Sequence, residues 1–298
     1  SGSLSLNKDI VINASVPSVT TSDATSTDQF SATLGGNVTD QGGSTVTERG
    51  IIISVTTTNA SPEIGGTGVT KDANASGTGV FSESVSGLNP NTQYSFRAYA
   101  TNTSGTVYGS IKTFTTPALI TPTITFANIN KTYGDANFNL GATSNSGGTI
   151  SYSVVTGGTG SATLSATNNQ TVTLGNAGTV TIRASVTSNG NYDAGTKDIT
   201  LTIAKRAITV TADAGQAKTS GSSDPVLTYQ VTSGSLVDGD NFTGALTRES
   251  GEVTGPYNIQ IGTLSAGNNY TITFVPNTFI INVVVTTGYV SRSSKSVI

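Results

Sequence analysis

Histidine and cysteine are both absent from this 298-residue chain, and most side-chain catalysis goes with them. Ser–His–Asp triads, Cys–His pairs, thiolate zinc sites and histidine general bases are all excluded. Carboxylates remain, 17 of them. Asp238 and Asp240 flank Gly239, with Glu249 and Glu252 close by, but Asp-Gly-Asp is also a turn spacing in which Asx side chains bond to nearby backbone. No catalytic pair is expected there. Oxygen ligands for a hard cation are plentiful, so Asp135, Asp213, Asp238 and Asp240 stand as weak calcium candidates; the Asp-x-Asp-x-Asp-Gly register of a calcium loop is missing. Glycine pairs such as Gly65-Gly66 and Gly157-Gly158 lack the strand–loop–helix setting that cradles a phosphate. No cofactor other than calcium is in view.

The elements that would position these residues are strands. Threonine outnumbers even the 35 glycines, and its β-branch favours extended backbone. Only 35% of residues are hydrophobic, too few for one large core but enough for thin sandwiches in which every second strand residue points inward. No stretch sustains a 3.6-residue period, so the chain is read as all-β. A net charge of -3 with scattered basic residues leaves no footprint for nucleic acid. No apolar run reaches the length of a bilayer crossing, so membrane insertion is not expected. The opening Ser1-Gly2-Ser3 fits a processed secreted chain or an excised fragment. Without disulfides, each module must stand on its packing and its neighbours.

Gly87-Leu88-Asn89-Pro90 reads as a turn. Tyr94, Phe96, Ala98 and Ala100 then share one face of a period-2 run whose other face is Ser95, Arg97, Tyr99 and Thr101. This predicts a half-buried strand, with the Tyr94 ring inside and its hydroxyl bonded back to the backbone. Leu88, Pro90 and Tyr94, with Glu48-Arg49-Gly50 upstream and Thr113-Phe114-Thr115 downstream, resemble a fibronectin type III domain over residues 17–117. The version resembles copies found in large surface proteins of Bacteroidetes-type bacteria. The tryptophan usual in that family is missing, so Phe30, Leu34 and Ile51–Ile53 are expected to fill its volume. Gly35-Gly36 inside one strand marks a bulge or a close approach.

Pro117 and Pro122 frame a stiff linker at residues 118–122. Residues 123–204 alternate cleanly at Val180, Ile182, Ala184 and Val186. With Thr132-Tyr133-Gly134-Asp135 and Asn191-Tyr192 they look like a bacterial Ig-like domain met in tandem in long adhesins. Several such domains join a strand lysine to an asparagine through a nearby acid. The resemblance therefore offers Lys131 and Lys205, with Asp135 or Asn191, for such a bond, though solvated strand-end lysines are the plainer reading. Lys205-Arg206 leaves no room for a flexible linker. Residues 205–285 carry Asp224-Pro225, Tyr229, Leu236-Val237-Asp238-Gly239-Asp240, Arg248, Gly251, Tyr257 and Asn269-Tyr270. That order resembles the small MBG-type repeat domain of bacterial surface proteins, with Ser220-Gly221 standing where the family has Tyr-Gly. The resemblance implies structural roles for Asp224, Pro225, Tyr229, Arg248, Tyr257 and Tyr270. It leaves open an Ig sandwich or another small β fold with one helical turn near Val237–Phe242. Residues 1–16 read as a strand or linker, with Leu4, Leu6, Ile10 and Ile12 as possible self-association residues, and 286–298 as a tail.

Together the resemblances imply tandem immunoglobulin-like and fibronectin III-like β-sandwiches arranged as an elongated rod, extracellular at a cell surface. The expected role is a stalk or repeat segment of a large secreted adhesin. Alternatives are a filament subunit joined by terminal strand exchange, or accessory modules of a secreted enzyme whose catalytic domain lies elsewhere. Expected partners are neighbouring modules, copies of the chain itself, and glycans or other cell surfaces. Small-angle scattering is expected to give a radius of gyration well above the ~19 Å of one compact body of this length. A value near ~19 Å would refute the rod.

Overall fold

The computed structural model describes residues 14–167 and 169–285, and among them every regular element is a β-strand. Leu4, Leu6, Ile10, Ile12 and the tail at 286–298 lie outside the described residues. The chain divides into two compact units, Ser1–Thr121 with Asn189–Asp193, and Pro122–Ser188 with Ala194–Ile298.

In the first unit two antiparallel sheets face each other. One orders Ser18–Thr21, Ser31–Asp40 and Gly79–Ser86. The other centres on Glu48–Val55 and Gln93–Asn102, flanked by Thr70–Ala75 on one side and by Gly105–Tyr108 and Lys112–Thr115 on the other. Leu34, Val38, Ile51, Ile53, Phe81, Phe96 and Ala98 meet between them. Phe30 does not fill the volume expected of it, being 39% exposed; Phe81, Phe96 and the half-buried Phe114 supply the aromatic bulk instead. Gly35-Gly36 makes a close approach and no bulge. Pairing with Gly79–Ser86 runs unbroken through both residues, and a Cβ on Gly36 would collide with Ala98 and the Thr20 carbonyl.

The Tyr94 hydroxyl oxygen accepts the Asn89 N–H at 2.8 Å, and its ring stacks on Phe114 at 5.6 Å. Leu88 is buried beside it and Pro90 is half-buried in the turn. Gln93–Asn102 itself departs from the half-buried expectation. Ser95 and Tyr99, on the nominally outer face, are as buried as Phe96 and Ala98. Long-range contacts cover that face. Arg97 donates to the Pro62 carbonyl at 2.6 Å, pairs with Glu63 at 3.0 Å and stacks 4.2 Å from the Tyr108 ring. The Tyr99 hydroxyl donates to Glu48, which also pairs with Lys71.

The second unit holds two modules. The first orders Ile129–Thr132, Gly195–Ala204, Gly178–Val186 and Ile150–Val155 in one sheet, its opening pair parallel. Val180, Ile182, Ala184 and Val186 are all buried, the first three in a core shared with Val172 and Leu140. Lys205 alone separates it from the next module, whose sheets are Tyr229–Ser233, Arg206–Ala212, Tyr270–Val275 and Ala217–Thr219, Thr278–Asn282, Gly255–Gln260, Thr247–Arg248. Arg206–Ala212 is central in its sheet and parallel to Tyr270–Val275, whereas the immunoglobulin order keeps its first strand at an edge. Residues 237–242 contain no helix; the Asp240 N–H closes a turn on the Val237 carbonyl at 3.0 Å.

Tyr94→Phe keeps the stacked ring and removes one backbone tether. The first unit is expected to lose about 0.5–1.5 kcal/mol, the worth of an ordinary hydrogen bond. Urea unfolding followed by circular dichroism reads this, and an unmoved midpoint would show that the hydroxyl is idle.

Candidate functional site

Two clusters in the second unit gather the residues with the most chemistry. The first is built on Arg248, whose side chain is only 6% exposed. Its Nε and Nη2 donate to the two Asp224 carboxylate oxygens at 2.7 and 3.0 Å, and Nη2 donates also to Glu252 at 2.8 Å. Nη1 donates to the carbonyls of Glu249 and Gly251 at 2.9 and 2.7 Å. All five donors are thus engaged. The guanidinium lies 5.1 Å from the Tyr257 ring and 5.4 Å from that of Phe279. Lys218, its side chain 4% exposed, bonds Asp224 at 2.7 Å and Glu252 at 2.6 Å. The cations lie inside and the carboxylates face water, which limits the desolvation cost of the network.

Local sequence explains the geometry. Pro225 fixes the backbone just after Asp224. Gly251 holds φ at 146°, and a Cβ there would collide with the Tyr257 ring. The Tyr257 hydroxyl donates to the Val253 carbonyl at 2.8 Å. Asp224, Pro225, Leu227, Leu246 and Arg248 line a shallow cleft of about 370 Å³. With its donors saturated, Arg248 has nothing to offer a carboxylate or phosphate entering that cleft. The cluster fastens loops.

The second cluster joins the two modules. The Asp240 carboxylate accepts the hydroxyls of Tyr270 at 2.6 Å and Tyr133 at 3.0 Å, and the two rings meet edge-on at 5.5 Å. The Tyr270 oxygen also accepts the Val237 N–H at 2.7 Å. Burial, and then the bond to Asp240, push both phenols above their ordinary ionisation range, so they stay donors. Tyr133 packs with Ile208, Ala266, Tyr270, Val237 and Phe242. Beside this core, Asn269 accepts the Ala177 N–H at 2.9 Å and donates to Asn176 at 3.2 Å, while Arg206 donates to the carbonyls of Ser235 and Tyr133 at 3.0 and 3.4 Å.

The four aspartates considered for calcium do not form one site. Asp240 belongs to this joint; Asp135 accepts the Thr132 N–H at 2.9 Å and closes its own turn. Asp213 is tied through its backbone to Thr228 and Gln216, and Asp238 is exposed. Among the described residues no three acidic side chains are grouped to hold a metal ion. Lys131 lies over the Phe138 ring at 4.8 Å and Lys205 is exposed. Tyr229 packs edge-on against Phe242 at 5.5 Å. Lys218 is the member that sequence reasoning missed: it sits in a three-residue strand, too short to show a face.

Residues 208–280 match the family described as MBG domain (YGX type). No curated protein matches the chain. Among solved structures, the sensor domain of the anti-sigma factor RsgI4 of Pseudobacteroides cellulosolvens is 19% identical, covering 36% of this chain and 100% of its own, with a TM-score of 0.29. A run of titin domains is 13% identical, covering 90% of this chain and 99% of its own, at 0.28. The FN1–FN3 domains of chicken CNTN1 are 13% identical, covering 89% and 98%, at 0.27. Scores this low add nothing to the architecture described above.

The ionic cluster carries a pH signature. Arg248 first, and then Lys218, hold the Asp224 carboxyl down at about 2, below its unfolded value near ~3.9. Its contribution is therefore complete above pH ~4 and lost as pH falls toward 2. Asp224→Asn is expected to flatten the acid-side loss of stability of the MBG-like module, read from urea midpoints between pH ~4 and ~2. An unchanged slope would refute the assignment.

Proposed function

We propose that the chain is a stalk or repeat segment of a large secreted cell-surface adhesin, spacing or presenting a binding region carried elsewhere. The observation that supports this most is the joint at Tyr133, Asp240 and Tyr270, where one carboxylate is shared by tyrosines of two modules and so holds one module to the next. In the other cluster all five Arg248 donors are met internally, which suits a clamp on loops. Composition agrees, since a chain without histidine or cysteine has neither the usual general base nor the usual soft metal ligand. The MBG-like match at residues 208–280 supports placement in a bacterial surface protein, hence an extracellular location. Its partners in this reading are neighbouring modules, or copies of itself whose weak contacts add by avidity.

The test is binding. Immobilised full-length chain is expected to show no saturable binding on a glycan array or to intact cells at micromolar concentration. Saturable micromolar binding would overturn the spacer reading and assign the fragment a recognition role of its own.

A further inference from the structure

Two turns in the second unit share one backbone. In the first module the strand Ile129–Thr132 runs parallel to the last strand, Gly195–Ala204. The Tyr133 N–H then donates to the Ala204 carbonyl at 2.9 Å, the Asp135 N–H to the Thr132 carbonyl at 3.0 Å, and Gly134 takes φ 81°. In the second module Ala217–Thr219 runs parallel to the last strand, Thr278–Asn282. The Ser220 N–H donates to the Asn282 carbonyl at 2.9 Å, the Ser222 N–H to the Thr219 carbonyl at 3.1 Å, and Gly221 takes φ 82°. Both turns stand where the last strand of the module ends.

Among the described residues only the first of them is occupied. The Tyr133 ring enters the aromatic cluster of the following module, and a Cβ on Gly134 would collide with Val237 of that module. A Cβ on Gly221 would meet nothing among the described residues. The difference lies in the residue that opens the turn. A tyrosine there reaches across the joint with a ring to bury and a hydroxyl to donate. A serine has no ring, and its hydroxyl stops one carbon from the backbone.

We infer that this residue decides whether a module is fastened to its successor. Tyr133 is the plug, and its partner is the N-terminal end of an MBG-like module that offers Val237 as wall, Asp240 as acceptor and Tyr270 as the facing ring. Ser220 is the same device without the plug, so the second module's turn offers no ring to a module that would follow it. The left-handed glycine is common to both because the backbone of the turn requires it whatever the side chain before it does. This rests on reading the chain as a string of modules, but it assigns the coupling between them to one position.

The experiment gives each turn the other's side chain in the intact protein. Wild-type chain is expected to open residues 123–285 together in hydrogen exchange under increasing denaturant. Tyr133→Ser is expected to split that behaviour, with residues 205–285 exchanging about tenfold or more faster than in wild type, as the loss of one half-buried ring and its hydrogen bond implies. Tyr133→Phe, which keeps the ring, should fall between. In a second arm, another copy of residues 205–285 follows directly after Asn282, the counterpart of Ala204. The added copy is expected to open independently in the parent and together with its neighbour when Ser220→Tyr is introduced. Joint opening retained in Tyr133→Ser, or an added copy indifferent to Ser220→Tyr, would overturn the inference. If Tyr133→Ser fails to fold, the second arm decides. Glycan and cell binding bear on the stalk reading alone, so the failure of either idea is distinguishable from that of the other.

Discussion

The second unit depends on one shared acceptor, the Asp240 carboxylate, held by phenols from two different modules. A carboxylate with two neutral donors is satisfied without a counter-ion, which suits a chain with only 14 basic residues. The arrangement fixes three segments at once: the turn at 237–240, the strand that opens at Tyr270, and the turn at Tyr133 of the preceding module. Without it the joint would keep the packing of the Tyr133 ring, the Arg206 bond to the Tyr133 carbonyl and the Asn269 bonds to Ala177 and Asn176. The aromatic cluster of one module is completed by a ring from the other.

The Arg248 cluster follows the same economy of charge within a module. Two buried cations are placed under two exposed carboxylates, so each ion keeps a partner and the anions keep their water. The result ties the loop around Asp224 and the loop from Glu249 to Glu252 onto the sheet that carries Tyr257 and Phe279. In the first unit Arg97 does a comparable thing for a surface loop, with Tyr108 as the stacking partner. Across both units, then, Arg97 and Arg248 act as anchors for loops, and Arg248 uses up its donors doing so.

Local patterns told most of the strands and one tether. Val180, Ile182, Ala184 and Val186 are buried as alternation requires, because strand geometry sets a period of two regardless of the partner strand. Tyr94 bonds the backbone of the preceding turn because five residues of spacing already bring the two together. The strand Ile129–Thr132 escaped notice since it is short and pairs in parallel with a strand some seventy residues away, a contact that leaves no local rhythm.

Other features were decided only when distant segments met. Alternation placed Tyr99 on an outer face; Glu48, Lys71 and the residues packed beside Arg97 bury it, and none of them is near in sequence. Phe30 looked like core and is exposed, because Phe81 and Phe114 reach the same space from other strands. The spacing of Asp238-Gly239-Asp240 read as a turn, with both aspartates only weak calcium candidates. The Asp240 carboxylate also accepts the hydroxyl of Tyr133, 107 residues earlier, and only the packing of two modules brings it within bonding distance. Composition and period settled that the chain makes strands and does not do histidine or cysteine chemistry, since both follow from residue type and local geometry. The joint and the clamp are products of tertiary contact, where a side chain's role is set by what arrives beside it.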